Sequence, residues 1–262
     1  MWRSKLDFPP GSPNIPNCAD LPAGPTKIAE SLRTLRGRNK ALLVRAEDGR
    51  YFVQKFRRHP NDSDLLFNEA FASELGRALD LRFPAWSELI GDSSGGQLSS
   101  FGSELISGEI LEYLPGGWYR NVENGVDAYR CLLFDLWCNH TDSRQAVFQI
   151  RTPRIFHAYF FDHDQMFSRD DGAPLPKRIA RARCLDLRFY KQHFGSVIHE
   201  LRKLGDRIRL LSRQRLRNLE HTVPATWGSV AHRGRVMSDL ERRSDQLDTY
   251  IDEITHFASG IG

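Results

Sequence analysis

The feature that most constrains this chain is a change of hydrophobic period partway along it. Before about residue 112 the apolar residues mostly keep a strand-like beat. "KALLVRAEDGRYFVQKF" holds two β-type runs, Ala41 to Arg45 and Tyr51 to Phe56, around a Glu-Asp-Gly turn, which is a hairpin signal. One helix follows, with Leu66, Phe67, Ala70, Phe71, Leu75, Ala78 and Leu79 at helical spacing and Asp64 or Ser63 placed to cap its start. "LRFPAWSELI" reads as a loop leading into a strand, "GDSSGGQLSS" as a flexible turn, and "FGSELI" and "EILEYL" as further short strands. From about Asp127 onward the period is helical, except for two extended runs, Ala146 to Ile150 and Ile155 to Phe161. Strands with one helix first and helices afterwards predict an α+β protein of two lobes.

Composition sets the outer limits. With 262 residues, 40% of them hydrophobic, the chain can bury a substantial core. Residues 1 to about 25 carry six of the thirteen prolines and read as an extended arm. No apolar run reaches the length of about 18 residues expected of a membrane span, and the first residues lack the apolar stretch of a signal peptide, so the expectation is a cytoplasmic protein. Cys18, Cys131, Cys138 and Cys184 show no CxxC spacing and read as free thiols. Cys131 and Cys138 share a helix face, as buried small hydrophobes do.

Net charge is +4, unevenly spread: between Pro176 and Asn218 thirteen Lys or Arg face three acids. Such an excess over 177–217 can attract an acidic partner or nucleic acid, or can be the solvated face of packed helices. The same segment carries Leu201, Leu204, Ile208 and Leu211 at helical spacing, which is a core stripe. HExxH, a Walker A loop, GxSxG and zinc-finger spacing are all missing from the sequence.

Four polar residues stand where a simple core wants something else. Lys55 shares a strand face with Tyr51 and Val53, either meeting an anion or marking the wet end of an edge strand. Glu69 falls roughly opposite the apolar arc of its helix, so its position reads as solvated, or else as lining a cleft. Asp142 follows an apolar helix from Asp127 to about Cys138, with Asn139 as its stop. Asp162 ends the apolar run "IFHAYFF", a place for a metal ligand or a turn.

Their order is more informative than any one of them. A strand lysine, a helix glutamate about 15 residues later, a post-helix aspartate and a second aspartate about 20 residues beyond form the sequence of parts used in phosphoryl transfer. That chemistry rests on positioning and charge stabilisation.

On "DGRYFVQKF", "NEAFASELGRALDLRFP", "FDLWCNHTDSR", "FFDHDQMF" and "VPATW", spread over roughly residues 30 to 250, the sequence resembles the HipA-like kinase domain family, bacterial relatives of the protein-kinase fold. The resemblance implies a strand-rich N-lobe over 26–112, a mainly helical C-lobe over 113–262 and a hinge near Glu112 to Gly117. It makes Lys55 the nucleotide-phosphate lysine, Glu69 its ion-pair partner, Asp142 the catalytic-loop aspartate and Asp162 the metal aspartate, followed by His163. In "RGRNK", Gly37 and Arg38 would cover the phosphates, with Arg36 and Lys40 adding charge. It also implies ATP, Mg2+ or Mn2+, and a protein serine or threonine as acceptor. Five residues beyond Asp142 the family has a metal-binding Asn, and this chain has Val147; Gln145 and Gln149 are the nearest amides. His140 likewise stands where the loop usually has Asn. These departures leave open a second implied reading, a catalytically impaired kinase fold that responds to nucleotide as a binding module.

Overall fold

The computed structural model describes residues 24–260 except 36–39, 58–62, 94–95, 170–171 and 184. Gly37, Arg38, Cys18, Cys184 and almost all of the expected proline-rich arm lie outside the described residues.

The strand-rich N-terminal region closes into a barrel. Strands β1 (Thr26–Thr34), β2 (Leu42–Ala46), β3 (Tyr51–Lys55), β4 (Trp86–Ser93) and β5 (Gly96–Glu104) are hydrogen-bonded in the order β1, β2, β3, β5, β4. Closure comes from a parallel pairing of β1 with β4, Thr26 opposite Leu89, which removes the open edges of the sheet. Val44, Ala46, Phe52 and Leu89 fill its interior. β1 has no counterpart in the periodicity, because all but Thr26 and Ile28 of its side chains are exposed. "GDSSGG" is also different from the loop its composition suggests: Gly91 pairs with Leu98, Asp92 with Gln97 and Ser93 with Gly96, continuing the β4–β5 hairpin. Backbone pairing needs no apolar side chains, so the pattern misses it.

Helix α1 (Ser63–Ala78) follows β3 and is buried without interruption from Leu66 to Gly76. A short strand β6 (Ile110–Leu111) leaves the barrel region and joins β7 (Gln145–Thr152) and β8 (Ile155–Phe161) in a second sheet. Between them runs α2 (Asp127–Cys138), the central helix of the C-terminal region, packed against α3 (Leu175–Ala182), α5 (Val197–Arg209), α7 (Val230–Ser244) and α8 (Leu247–Ser259). Eleven of its twelve residues are buried, which is why its sequence is nearly all apolar. α2 ends at Asn139, whose backbone is left-handed at φ 53°, a conformation Asn tolerates at a helix C-terminus. α4 (Leu187–Gln192) and α6 (Arg213–His221) complete the helical region.

The stripe Leu201, Leu204, Ile208 and Leu211 is buried as its spacing predicts, and Cys131 and Cys138 are buried as well. Among the described residues no helix is long and apolar enough to cross a membrane.

Candidate functional site

β3 delivers Lys55 at its last residue. β3 lies between β2 and β5, so it is not an edge strand, and Lys55 pairs with Phe101 of β5. Its Nζ donates to Glu69 Oε1 and, at 2.7 Å, to Asp162 Oδ1. Glu69 is not the solvated residue its helical position suggests: it is 2% exposed. A surface helix has one wet face, whereas α1 is enclosed along its whole middle. The other Glu69 oxygen, Oε2, accepts the His163 backbone N–H at 3.1 Å. Thus one carboxylate on α1 holds both the strand lysine and the backbone beside Asp162.

Burial alone would lower the Lys55 pKa, but the carboxylates of Glu69, Asp162 and Asp164 outweigh it and raise it above the usual lysine value. Burial pushes Glu69 up to about 7 against the pull of Lys55, with Asp162 and Asp164 adding to the rise. Lys55 is therefore a fixed cation facing more negative charge than it can balance.

Asp162 sits just past β8 with φ 71°, a left-handed backbone that Asp tolerates better than most residues other than Gly and Asn. Its Oδ2 accepts from Gln145 Nε2 at 2.7 Å. Of the two amides near Val147, Gln145 thus reaches the aspartate, while Gln149 is turned away and donates to the Ser107 carbonyl at 2.6 Å. Val147 itself lies on β7 opposite Tyr159 and carries no oxygen donor. Glu69, Asp162 and Asp164 each offer a carboxylate oxygen, and these lie within 4.8 Å of one another. Hard oxygen donors at that spacing fit a divalent cation of the Mg2+ or Mn2+ type.

Asp142 is separate from this cluster. It is exposed in the loop after α2, and its Oδ1 accepts the Ser143 N–H at 2.7 Å. Ser143 Oγ in turn donates to the Arg181 carbonyl at 3.0 Å, tying the loop to the end of α3. The structure thus brings Lys55, Glu69 and Asp162 into direct contact, and Asp142 touches none of them.

A buried polar set joins His163 and His140 to Arg144 and Asp135, two residues that the motifs did not single out. Arg144, with its side chain fully buried, donates from Nε to both oxygens of Asp135 on α2 at 3.1 and 3.0 Å and from Nη1 to His163 Nδ1 at 2.7 Å. Because a guanidinium only donates, His163 must accept at Nδ1 and carry its proton on Nε2. Burial, followed by the charge of Arg144, holds the His163 and His140 pKa values well below the usual histidine range. Burial also raises Asp135, partly offset by Arg144. The available signal was Asp135 itself, the one acid in the apolar run from Cys131 to Cys138.

The late "VPATW" segment and the residues after it tie the helical region to the barrel and to α1. Trp227 Nε1 donates to Ser99 Oγ on β5 at 3.1 Å, and Ser229 N donates to Asp64 Oδ1 at 2.9 Å. On α7, His232 bonds Asn68 Oδ1 through Nε2 at 2.8 Å. Asn68 Nδ2 then donates to the carbonyls of Asp164 and Met166 at 3.1 and 2.8 Å, so α7 steadies the loop after Asp162 through α1. In the basic segment, Arg188 pairs with Asp186, Arg207 with Asp80, Arg209 with Asp206 and Asp248, and Arg213 with Glu241.

No protein-family model and no curated protein matches the chain. Solved structures do. A Helicobacter pylori proinflammatory kinase, CtkA, aligns over 90% of this chain and 97% of its own, with a TM-score of 0.56 and 13% identity. The Golgi casein kinase aligns over 89% of this chain and 74% of its own, with a TM-score of 0.57 and 12% identity. The same kinase with Mn/ADP bound gives 0.54 and 11% over 88% of this chain and 74% of its own. At such identities the likeness establishes the fold, a two-lobed protein-kinase-like architecture spanning most of the chain.

Proposed function

We infer that the chain is an ATP-dependent kinase of the HipA-like kind, transferring the γ-phosphoryl group to a protein serine or threonine. One observation carries this reading: a strand lysine anchored by a buried helix glutamate and facing Asp162, inside a kinase-like fold. Lys55 neutralises the ATP phosphates, and Glu69 keeps it from swinging away. Asp162, with Glu69 and Asp164, holds Mg2+ or Mn2+. A cation bound there neutralises phosphate oxygens. Asp142 orients the acceptor hydroxyl and takes its proton as that oxygen bonds to the γ-phosphorus and the bond to the β–γ bridging oxygen breaks, releasing ADP. The exposure of Asp142 supports an acceptor that arrives from solvent. A nucleotide and a divalent cation also occur together in the Golgi casein kinase, which was solved with Mn/ADP bound.

Labelled ATP with Mg2+ or Mn2+ tests the reading. Wild type incorporates label and Asp162→Ala does not; equal label in that variant removes Asp162 from the mechanism. Val147 favours a second reading, a nucleotide-responsive binding module without transfer. Its signature is thermal stabilisation by ATP with no label, together with label appearing in Val147→Asn.

A further inference from the structure

We propose that Arg144 is a positioning residue that fixes the acceptor-side loop and the metal-side loop to each other. The proposal rests on the kinase reading for its meaning and on the following geometry for its basis. Arg144 is two residues from Asp142, and His163 is the residue after Asp162. Adjacent Cα atoms are about 3.8 Å apart, so neither aspartate can move far without its neighbour. The Nη1 bond to His163 at 2.7 Å therefore sets how far apart the two acidic loops stand. The Nε bonds to Asp135 anchor that link to α2, and the His163 N–H carries it on to Glu69 of α1.

The packing around Arg144 leaves it one orientation. Its guanidinium lies 4.8 Å from the Phe83 ring centroid and 5.9 Å from that of Phe134, while the His163 ring meets Phe83 at 4.6 Å. A planar fork stacked between rings and bonded at both ends has few alternative rotamers. Stability does not require such a pair, because buried ion pairs can be replaced by well-packed apolar residues without loss. From Cys131 to Cys138 α2 is otherwise apolar, and leucine would suit position 135. What an apolar pair cannot supply is a directional link from the Asp142 loop to the Asp162 loop. In-line transfer is sensitive to that geometry, since a displacement of about 1 Å can cost about 100-fold in rate.

Two variants test the link. Asp135→Leu/Arg144→Met removes the charges together, and His163→Phe keeps the ion pair and the ring while deleting the acceptor nitrogen. The double variant is expected to keep a melting temperature close to wild type, whereas His163→Phe lowers it because the buried Arg144 Nη1 loses its acceptor; in the folded protein both leave the KM for ATP unchanged and lower kcat by about 100-fold. A purely structural role would leave the kcat of the folded fraction unchanged. Hydrogen exchange gives a readout independent of transfer: peptides covering 139–144 and 162–167 lose protection together in either variant. Unchanged kcat in a folded variant overturns the proposal, as does loosening of only one of the two loops. If wild type transfers no phosphate, the kinase reading fails by itself and the exchange experiment alone decides whether the loops are linked. If the double variant does not fold, His163→Phe decides.

Discussion

Lys55 and Asp142 have equal standing in the proposed chemistry, yet the fold treats them in opposite ways. Lys55 is bonded to two carboxylates, and its partner Glu69 also holds the backbone beside Asp162. Asp142 lies exposed, and among the described residues its carboxylate bonds the N–H of the next residue. The nucleotide half is pre-organised before anything binds, so substituting it should disturb the fold as well as the chemistry. The acceptor half has an ordered base but an open carboxylate, so substituting it should disturb chemistry alone. The difference matches what each half would handle: one small ligand of constant shape, and protein acceptors that need access.

The sharpest way to break this comparison is Lys55→Met. It leaves the buried Glu69 beside Asp162 and Asp164 without their cation, and removing one partner of a buried pair costs about 3 kcal/mol or more. Urea unfolding should show that loss, and ATP should no longer raise the melting temperature. A variant of wild-type stability would mean that the lysine is not integral to the buried half.

Next in size is Asp142→Asn, whose effect should be confined to turnover. Loss of a general base costs about 10²- to 10⁴-fold in rate. Phosphate transfer measured with labelled ATP should fall within that range, while the unfolding midpoint and the ATP-induced thermal shift stay at wild-type values. A drop in stability would show that the loop is integrated into the core and would erase the contrast with Lys55.

The same contrast explains what could be read from the sequence. The order of strands and helices, the α2 boundaries and the lysine-to-aspartate sequence were visible because each depends on local periodicity or on a residue type in a fixed place. Helical position alone favours a solvated Glu69, because its burial comes from layers on both sides of α1, which no single helix encodes; the order of the motifs is what pairs it with Lys55. β1 escaped because a barrel strand can close by backbone pairing with polar side chains outward. Arg144 and Asp135 escaped for the opposite reason: charged residues read as surface until their partner is known. Local pattern predicts elements, and the brace between the loops depends on contacts distant in sequence.

Gly76→Ala tests how tightly that brace is packed, and its expected effect is the smallest. On helix propensity alone the substitution should stabilise α1 by about 1 kcal/mol. A Cβ at position 76, however, would run into the Phe83 ring, which itself supports the Arg144 guanidinium and the His163 ring. Overpacking of this kind costs about 1–3 kcal/mol, so the balance should be a modest net loss in urea unfolding. Movement of Phe83 should also reduce phosphate transfer without weakening ATP binding, because Lys55 and Glu69 do not touch that ring. A net gain in stability would show that Phe83 can yield, and the brace would then owe its rigidity to the Asp135–Arg144–His163 bonds rather than to the rings around them.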